Sequence, residues 1–271
     1  MNNTLTPPAP AEPAVGYRIN ALTGAATSNV RDLSGPLSAE ITAALAASPS
    51  GEISVRSVDL NLPLLEKNDI LAERNRGYFL GRGLAALNLV SSPGAGKTTL
   101  LERTLDEFGR ETRCAVLVGD LETDNDGQRL SRPHAPVAQI TTGTVCHLDA
   151  SMIARAAQSI NLDGVRVLFI ENVGNLVCPA SFDLGEQARV VLLSTTEGED
   201  KPLKYPPIFK SANLVLLTKI DLAGVLGFKR DVALDNIRRI APQAQIITLS
   251  TRTGEGLPEW YAFLRSLIAP R

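Results

Sequence analysis

Nine consecutive residues, Ser91-Ser92-Pro93-Gly94-Ala95-Gly96-Lys97-Thr98-Thr99, combine small side chains, a lysine and hydroxyls in an order suited to phosphate. They follow the apolar run Leu87-Asn88-Leu89-Val90 and precede a helical pattern that begins at Leu100-Leu101. Strand, tight loop and helix is the context a phosphate-binding loop requires. Small residues at Gly94, Ala95 and Gly96 let backbone N–H groups close around phosphate oxygens, and the helix N-terminus adds partial positive charge. Lys97 would reach the terminal phosphates, and Thr98, followed by Thr99, would offer its hydroxyl to Mg²⁺. The strict pattern has glycine where Ser91 stands, yet Ala95-Gly96-Lys97-Thr98 keeps most of the chemistry. The expected ligand is a nucleoside triphosphate.

A second motif selects the base. Asn213-Leu214-Val215-Leu216-Leu217 reads as a buried strand that ends in Thr218-Lys219-Ile220-Asp221. A carboxylate at Asp221 can accept hydrogen bonds from guanine N1–H and the exocyclic amine. Adenine offers no such pair of donors, and a site built on paired polar groups rejects the wrong partner strongly. Lys219 would lay its alkyl stem over the base, although the common guanine motif has Asn where Thr218 stands. Further on, the loop at Ser250-Thr251 follows another strand pattern, where the Thr251 backbone would support the base edge.

Two strand patterns end in carboxylates, Asp120 and Glu171. Mg²⁺ takes oxygen ligands and keeps several waters, so one or two carboxylates beside Thr98 suffice. Asp120 is the first candidate and Glu171 the second, and either could instead orient the attacking water. The backbone N–H of Gly174 could meet the terminal phosphate. Glu122, Asp124 and Asp126 follow, and Asp124 and Asp126 read equally as part of this acidic site or as a solvated loop or helix cap. No arginine stands out as a catalytic finger, which implies slow hydrolysis.

Two of the three cysteines and one of the two histidines fall in Thr144–Ala150 and Asn172–Pro179. Thiolate and imidazole together suit Zn²⁺ or Ni²⁺. Adjacent residues on a regular helix point about 100° apart, so Cys146 and His147 share an ion only near a helix start or across subunits. With Cys178 the set has three ligands, one short of a tetrahedral site, which suits transfer or completion by a second subunit. Spacing alone favours a plainer reading, with buried cysteines and a helix-capping histidine. Cys114, inside an apolar strand, reads as core, and His134 as loop.

Seven candidate strands must position these residues: Leu87–Ser91, Cys114–Asp120, Val137–Thr141, Val165–Glu171, Ala188–Leu193, Asn213–Thr218 and Gln245–Ser250. Helical patterns separate them, which implies an α/β fold, a mostly parallel sheet of seven strands with helices on both faces. Every motif then falls at the carboxyl end of a strand, where such sheets bind ligands. Upstream, residues 1–50 form a Pro/Ala-rich region expected to be largely disordered, with one short helical pattern at Ser38–Leu45. Residues 51–83 form a helical segment centred on Leu64–Arg76, and residues 84–271 the nucleotide-binding domain.

Composition narrows the function classes. A net charge of −2 and a pI near 5.8 argue against nucleic acid and a polybasic membrane patch. No apolar stretch approaches the ~20 residues of a membrane span, and no basic region before an apolar core marks a secretory leader. Three cysteines are too few for a disulfide framework, so a cytoplasmic setting is expected.

Asn68, Ala72, Asn75-Arg76 and Asn88 to Glu102 resemble the hydrogenase maturation GTPase family HypB. So do Gly119-Asp120 with Thr123 and Asp126, Thr142-Gly143 before Cys146-His147-Leu148-Asp149-Ala150, and Glu171-Asn172-Val173-Gly174-Asn175-Leu176-Val177-Cys178-Pro179. The likeness runs from about residue 60 to the C-terminus with its motifs in order. It implies a P-loop NTPase fold that binds GTP or GDP with Mg²⁺, dimerises with nucleotide and helps load nickel into the large subunit of nickel–iron hydrogenase. Other maturation proteins, including a second nickel-binding accessory protein, are implied partners. The resemblance assigns Cys146, His147 and Cys178 to nickel or zinc, reversing the reading from spacing. The alternative is a nucleotide-gated scaffold with a structural zinc. Cys-rich and His-rich N-terminal nickel motifs of some members are missing, since the first 80 residues hold neither Cys nor His.

Overall fold

In the computed structural model, seven strands form one all-parallel sheet in the order β3-β2-β4-β1-β5-β6-β7. The strands are β1 (Ala85–Ser91), β2 (Cys114–Asp120), β3 (Val137–Thr141), β4 (Val167–Glu171), β5 (Ala188–Ser194), β6 (Leu214–Thr218) and β7 (Gln245–Thr248). The structure describes residues 61–120, 127, 129–130, 135–143 and 145–268. The expected disordered tail, the pattern at Ser38–Leu45, the acidic residues Glu122, Asp124 and Asp126, Thr123 and His134 lie outside the described residues.

The central strands are buried along both faces, so they read as near-continuous apolar runs rather than alternating ones. Along β1, Leu87 and Leu89 point to one face with Leu100, Leu101 and Leu105 of the helix Lys97–Glu107. Trp260, from the helix Leu257–Leu267, joins that face fully buried and donates its indole N–H to the Thr104 hydroxyl at 3.0 Å. Ala86 points to the opposite face, beneath Phe79 and the helix Ala150–Ser159. Val90 faces the same way, under Ile208, Phe209 and Ile237. Among the described residues, no helix is long and apolar enough to cross a membrane.

The helix Asn61–Gly81 departs from its hydropathy pattern. Its apolar residues Leu64, Ile70 and Leu80 are exposed, while the buried stripe is Asn68, Ala72, Asn75 and Phe79. The reason is hydrogen bonding. Asn68 donates to the Asp183 carbonyl at 2.8 Å and accepts from the Ala150 N–H at 2.9 Å. Asn75 donates to the carbonyls of Ala150 at 2.8 Å and Leu184 at 3.0 Å. Buried carbonyls that cannot reach water need such partners. Close approach is possible because residue 185 is glycine: a β-carbon there would fall 2.4 Å from the Ala72 carbonyl oxygen.

Candidate functional site

The sharp turn between β1 and the helix Lys97–Glu107 is made by Gly94 and Gly96, with φ of 75° and 100°. A β-carbon strains that left-handed backbone, so glycine serves the curl. Lys97 is 8% exposed and donates to the Ser91 hydroxyl at 2.9 Å. Ser91, the departure from the strict motif, therefore supplies a polar rest for the ammonium. Lys219, itself at φ 58°, reaches over the loop and donates to the Gly94 carbonyl at 2.7 Å. The Thr218 hydroxyl donates to the Ala95 carbonyl at 2.8 Å, which fixes the underside of the loop.

A cavity of about 430 Å³ opens over this loop and brings together Lys97, Thr98, Asp120, Glu171, Gly174 and Lys219. That volume lies in the range of small-ligand pockets, roughly 300–1,000 Å³. Gly94, Gly96 and Thr99 complete the loop side, and Ala95 is buried beneath it. The Thr98 hydroxyl donates to Glu171 Oε1 at 2.6 Å, a charge-assisted length. Asp120 lies on the same wall at the end of β2. Sequence reasoning passed over Arg129, which also lines the cavity and is paired to Glu102 at 2.8 Å, with the Thr99 hydroxyl at 3.5 Å.

Asp221, Ser250 and Thr251 stand outside that cavity. Asp221 is half-buried in the turn after Lys219. The Ile220 N–H donates to the Leu249 carbonyl at 3.3 Å, which joins this turn to the Ser250–Thr251 loop. Ser250 accepts from the N–H groups of Arg252 and Thr253, each at 3.2 Å, and Arg103 donates to the Thr251 carbonyl.

Gly174 leans directly on the phosphate loop. A β-carbon on it would sit 2.9 Å from Pro93 Cα. Gly174→Ala must therefore push the two segments apart, at a cost of about 1–3 kcal/mol. A drop in melting temperature together with at least ~10-fold slower phosphate release is expected. A melting curve and a phosphate-release assay measure both.

At the far end of the Glu171–Cys178 segment, the ligand atoms of Cys146, His147 and Cys178 lie within 4.8 Å of one another. The two sulfurs are 2.7 Å apart, and each thiol is free. The convergence of adjacent Cys146 and His147 has a local cause, since both precede the helix Ala150–Ser159 and are not helical. The plainer reading of His147 as a helix cap is corrected here: Asp149 is the cap, accepting from the Met152 N–H at 2.8 Å.

His147 stacks on Phe182, with ring centroids 3.8 Å apart and planes at 24°. Its Nδ1 is buried without a hydrogen-bond partner among the described residues. Burial pushes its pKa below the ordinary histidine value, so the ring is neutral near pH 7, as a ligand must be. The Cys178 thiol beside it raises the pKa of Cys146. Two sulfurs and one imidazole, whose Nδ1 has no hydrogen-bond partner among the described residues, form a three-membered donor set that fits a borderline divalent ion.

Cys114 is different. Burial in β2 pushes its thiol up to about 12, leaving almost no thiolate at neutral pH. Mass spectrometry after iodoacetamide treatment at pH 8 should find Cys146 and Cys178 labelled and Cys114 intact in the folded chain. Labelling of Cys114 at a comparable rate would contradict the buried placement.

Residues 85–248 match the family described as CobW/HypB/UreG, nucleotide-binding domain. The hydrogenase maturation factor HypB of Escherichia coli (strain K12) is 50% identical over 211 residues, covering 78% of this chain and 73% of that protein. The crystal structure of HypB from Archaeoglobus fulgidus aligns with a TM-score of 0.71 at 39% identity, over 75% of this chain and all of that one. The crystal structure of HypB from Helicobacter pylori in complex with nickel aligns at 0.70 with 40% identity, over 74% of this chain and 94% of that one.

Proposed function

The chain belongs to the HypB family of hydrogenase maturation factors, and from that premise we propose that it is a GTP-hydrolysing metallochaperone. Its cargo is nickel, delivered to the large subunit of nickel–iron hydrogenase. One observation carries the reading: the segment from Glu171 to Cys178 begins against Thr98 in the cavity and ends in the thiol–imidazole cluster. Nucleotide chemistry and metal affinity thereby share one short stretch of chain.

In this reading Lys97 offsets the charge of the terminal phosphates, and the loop orients them for in-line attack. Thr98 holds Mg²⁺ with Glu171 or Asp120, and the 2.6 Å contact favours Glu171. That ion, when bound, neutralises charge on the transferring phosphate oxygens. The other carboxylate positions water, and Gly174 offers its N–H where the terminal phosphate ends. Asp221 reads guanine, with Lys219 over the base and the Ser250–Thr251 loop behind it.

The relative from Helicobacter pylori described in complex with nickel supports nickel as the ion held by Cys146, His147 and Cys178. Three ligands leave a tetrahedral site one short, which suits an ion that must leave. The missing ligand comes from a second copy in the nucleotide-bound dimer, from an accessory protein, or from the acceptor. The same thiolate-rich set also suits zinc, which is the basis of the scaffold alternative.

The test is delivery. Nickel-loaded chain is incubated with nickel-free hydrogenase large subunit and GTP, GDP or a non-hydrolysable analogue, and the nickel content of the large subunit is measured. The metallochaperone reading requires transfer that depends on GTP hydrolysis. Transfer independent of nucleotide, or none from the loaded chain, favours the scaffold.

A further inference from the structure

The segment between the two sites carries two asparagines, and each grips the backbone beside a thiol–imidazole ligand. Asn172 is 1% exposed and directly follows Glu171. Its Oδ1 accepts from the N–H of Leu148 at 3.3 Å and of Val173 at 3.0 Å. Its Nδ2 donates to Asn88 Oδ1 at 3.2 Å. Asn88, a polar residue in the middle of β1, donates in turn to Glu186 at 3.1 Å, and Glu186 pairs with buried Arg189 at 2.7 Å. The backbone N–H of Asn172 also donates to the Leu89 carbonyl at 3.0 Å. Asn172 is therefore an anchor, fixed by the sheet at one end and holding Leu148, next to His147, at the other.

Asn175 sits beyond Gly174 and is half-buried. Its Nδ2 donates to the Cys146 carbonyl at 3.2 Å, and its Oδ1 accepts from the Val177 N–H at 2.8 Å. One side chain thus touches the backbone of the first cysteine and steadies the residue before the second. Leu148 closes the far side, because its side chain fills the space over Gly119, where a β-carbon would come within 2.7 Å. Gly119 and Asp120 line the nucleotide cavity.

The order of contacts along the chain is informative. Glu171 meets Thr98, Asn172 is anchored, Gly174 leans on Pro93, Asn175 holds Cys146, and Cys178 is itself a ligand. A shift of Gly174 against the phosphate loop has Asn172 as its fixed point and Asn175 as the first side chain past it. We propose that Asn175 is the positioning residue that carries nucleotide state to the metal ligands, with Asn172 as the pivot. This rests on the metal-handling function proposed above. Energetic coupling between sites requires contacts that differ between two arrangements, and the proposal gives that part to the amide–carbonyl bond to Cys146.

The test uses the full chain and Ni²⁺, titrated against a chelating dye with Mg²⁺ and either GDP or a non-hydrolysable GTP analogue. Wild-type protein should show nickel affinities that differ by about 5-fold or more between the two states, the usual scale of coupling. Asn175→Ala should bring that ratio to within about twofold of one, with GDP affinity unchanged and the chain still folded. Asn175→Asp keeps the size and the acceptor for Val177 but loses the donor to Cys146, so it should behave like alanine. A wild-type ratio retained in both variants overturns the inference, as does an equal loss of affinity in both states, which marks a merely structural role. A ratio of one in the wild-type chain overturns the underlying function instead, and the inference with it.

Discussion

Lys97→Ala is expected to lower GTP turnover by about 100- to 1,000-fold, the usual effect of removing a preorganised group that meets developing charge. Lys97 is buried at the mouth of the helix Lys97–Glu107 and rests on the neutral Ser91 hydroxyl. The ammonium stands in the loop that lines the cavity, where phosphate oxygens would meet it. The same burial predicts little loss of fold, because removing a buried cation also removes its desolvation cost. Turnover is read from phosphate release and folding from the melting temperature. Turnover within tenfold of wild type would remove Lys97 from the chemistry.

Asp221→Asn should lower GTP affinity by about 100-fold or more and create affinity for xanthosine triphosphate. Guanine presents two donors, and a carboxylate accepts both. An amide presents one acceptor and one donor, so its NH₂ faces the guanine amine and both groups lose their partner. Leaving polar groups unpaired in a base site gives strong discrimination. Xanthine carries a carbonyl where guanine carries the amine, so the amide's donor and acceptor both find partners again. Fluorescent nucleotide titration of the wild-type chain and of Asp221→Asn measures the exchange. Unchanged GTP affinity would mean that Asp221 does not face the base, a direct check because Asp221 stands outside the phosphate cavity.

The legible part of this molecule is what is local. Strands buried on both faces announce themselves as apolar runs, so β2 has the ends expected from sequence, and the half-buried edge strand β3 also keeps its expected ends. β1 begins at Ala85 rather than Leu87 because alanines pair in the sheet with Val167 and Leu168. β7 stops at Thr248 rather than Ser250, since Ser250 already caps its own loop. The phosphate loop is equally local, one strand, one turn and one helix.

What the sequence hides is long-range and polar. The helix Asn61–Gly81 docks through asparagines whose partners lie 75 to 115 residues away, which hydropathy cannot register. The Thr98–Glu171 contact spans 73 residues and the two sulfurs 32. Spacing alone groups Cys146 and His147 with Cys178 but favours ordinary roles for them, and the likeness to a family is what favours a metal site. Asn172 and Asn175 have no role that their motif makes legible, because their work is to bond backbone groups folded in from elsewhere. The local signal is Asn88, an amide in the middle of a strand buried along its whole length.

The most direct measurement is the nickel affinity of the wild-type chain with GDP and with a non-hydrolysable GTP analogue, both with Mg²⁺. Nickel handling gated by nucleotide predicts affinities about 5-fold or more apart, and an equal change in nucleotide affinity when nickel is added, because linkage is reciprocal. Equal nickel affinities in the two states, or binding no tighter than that of the unfolded chain, would contradict the account.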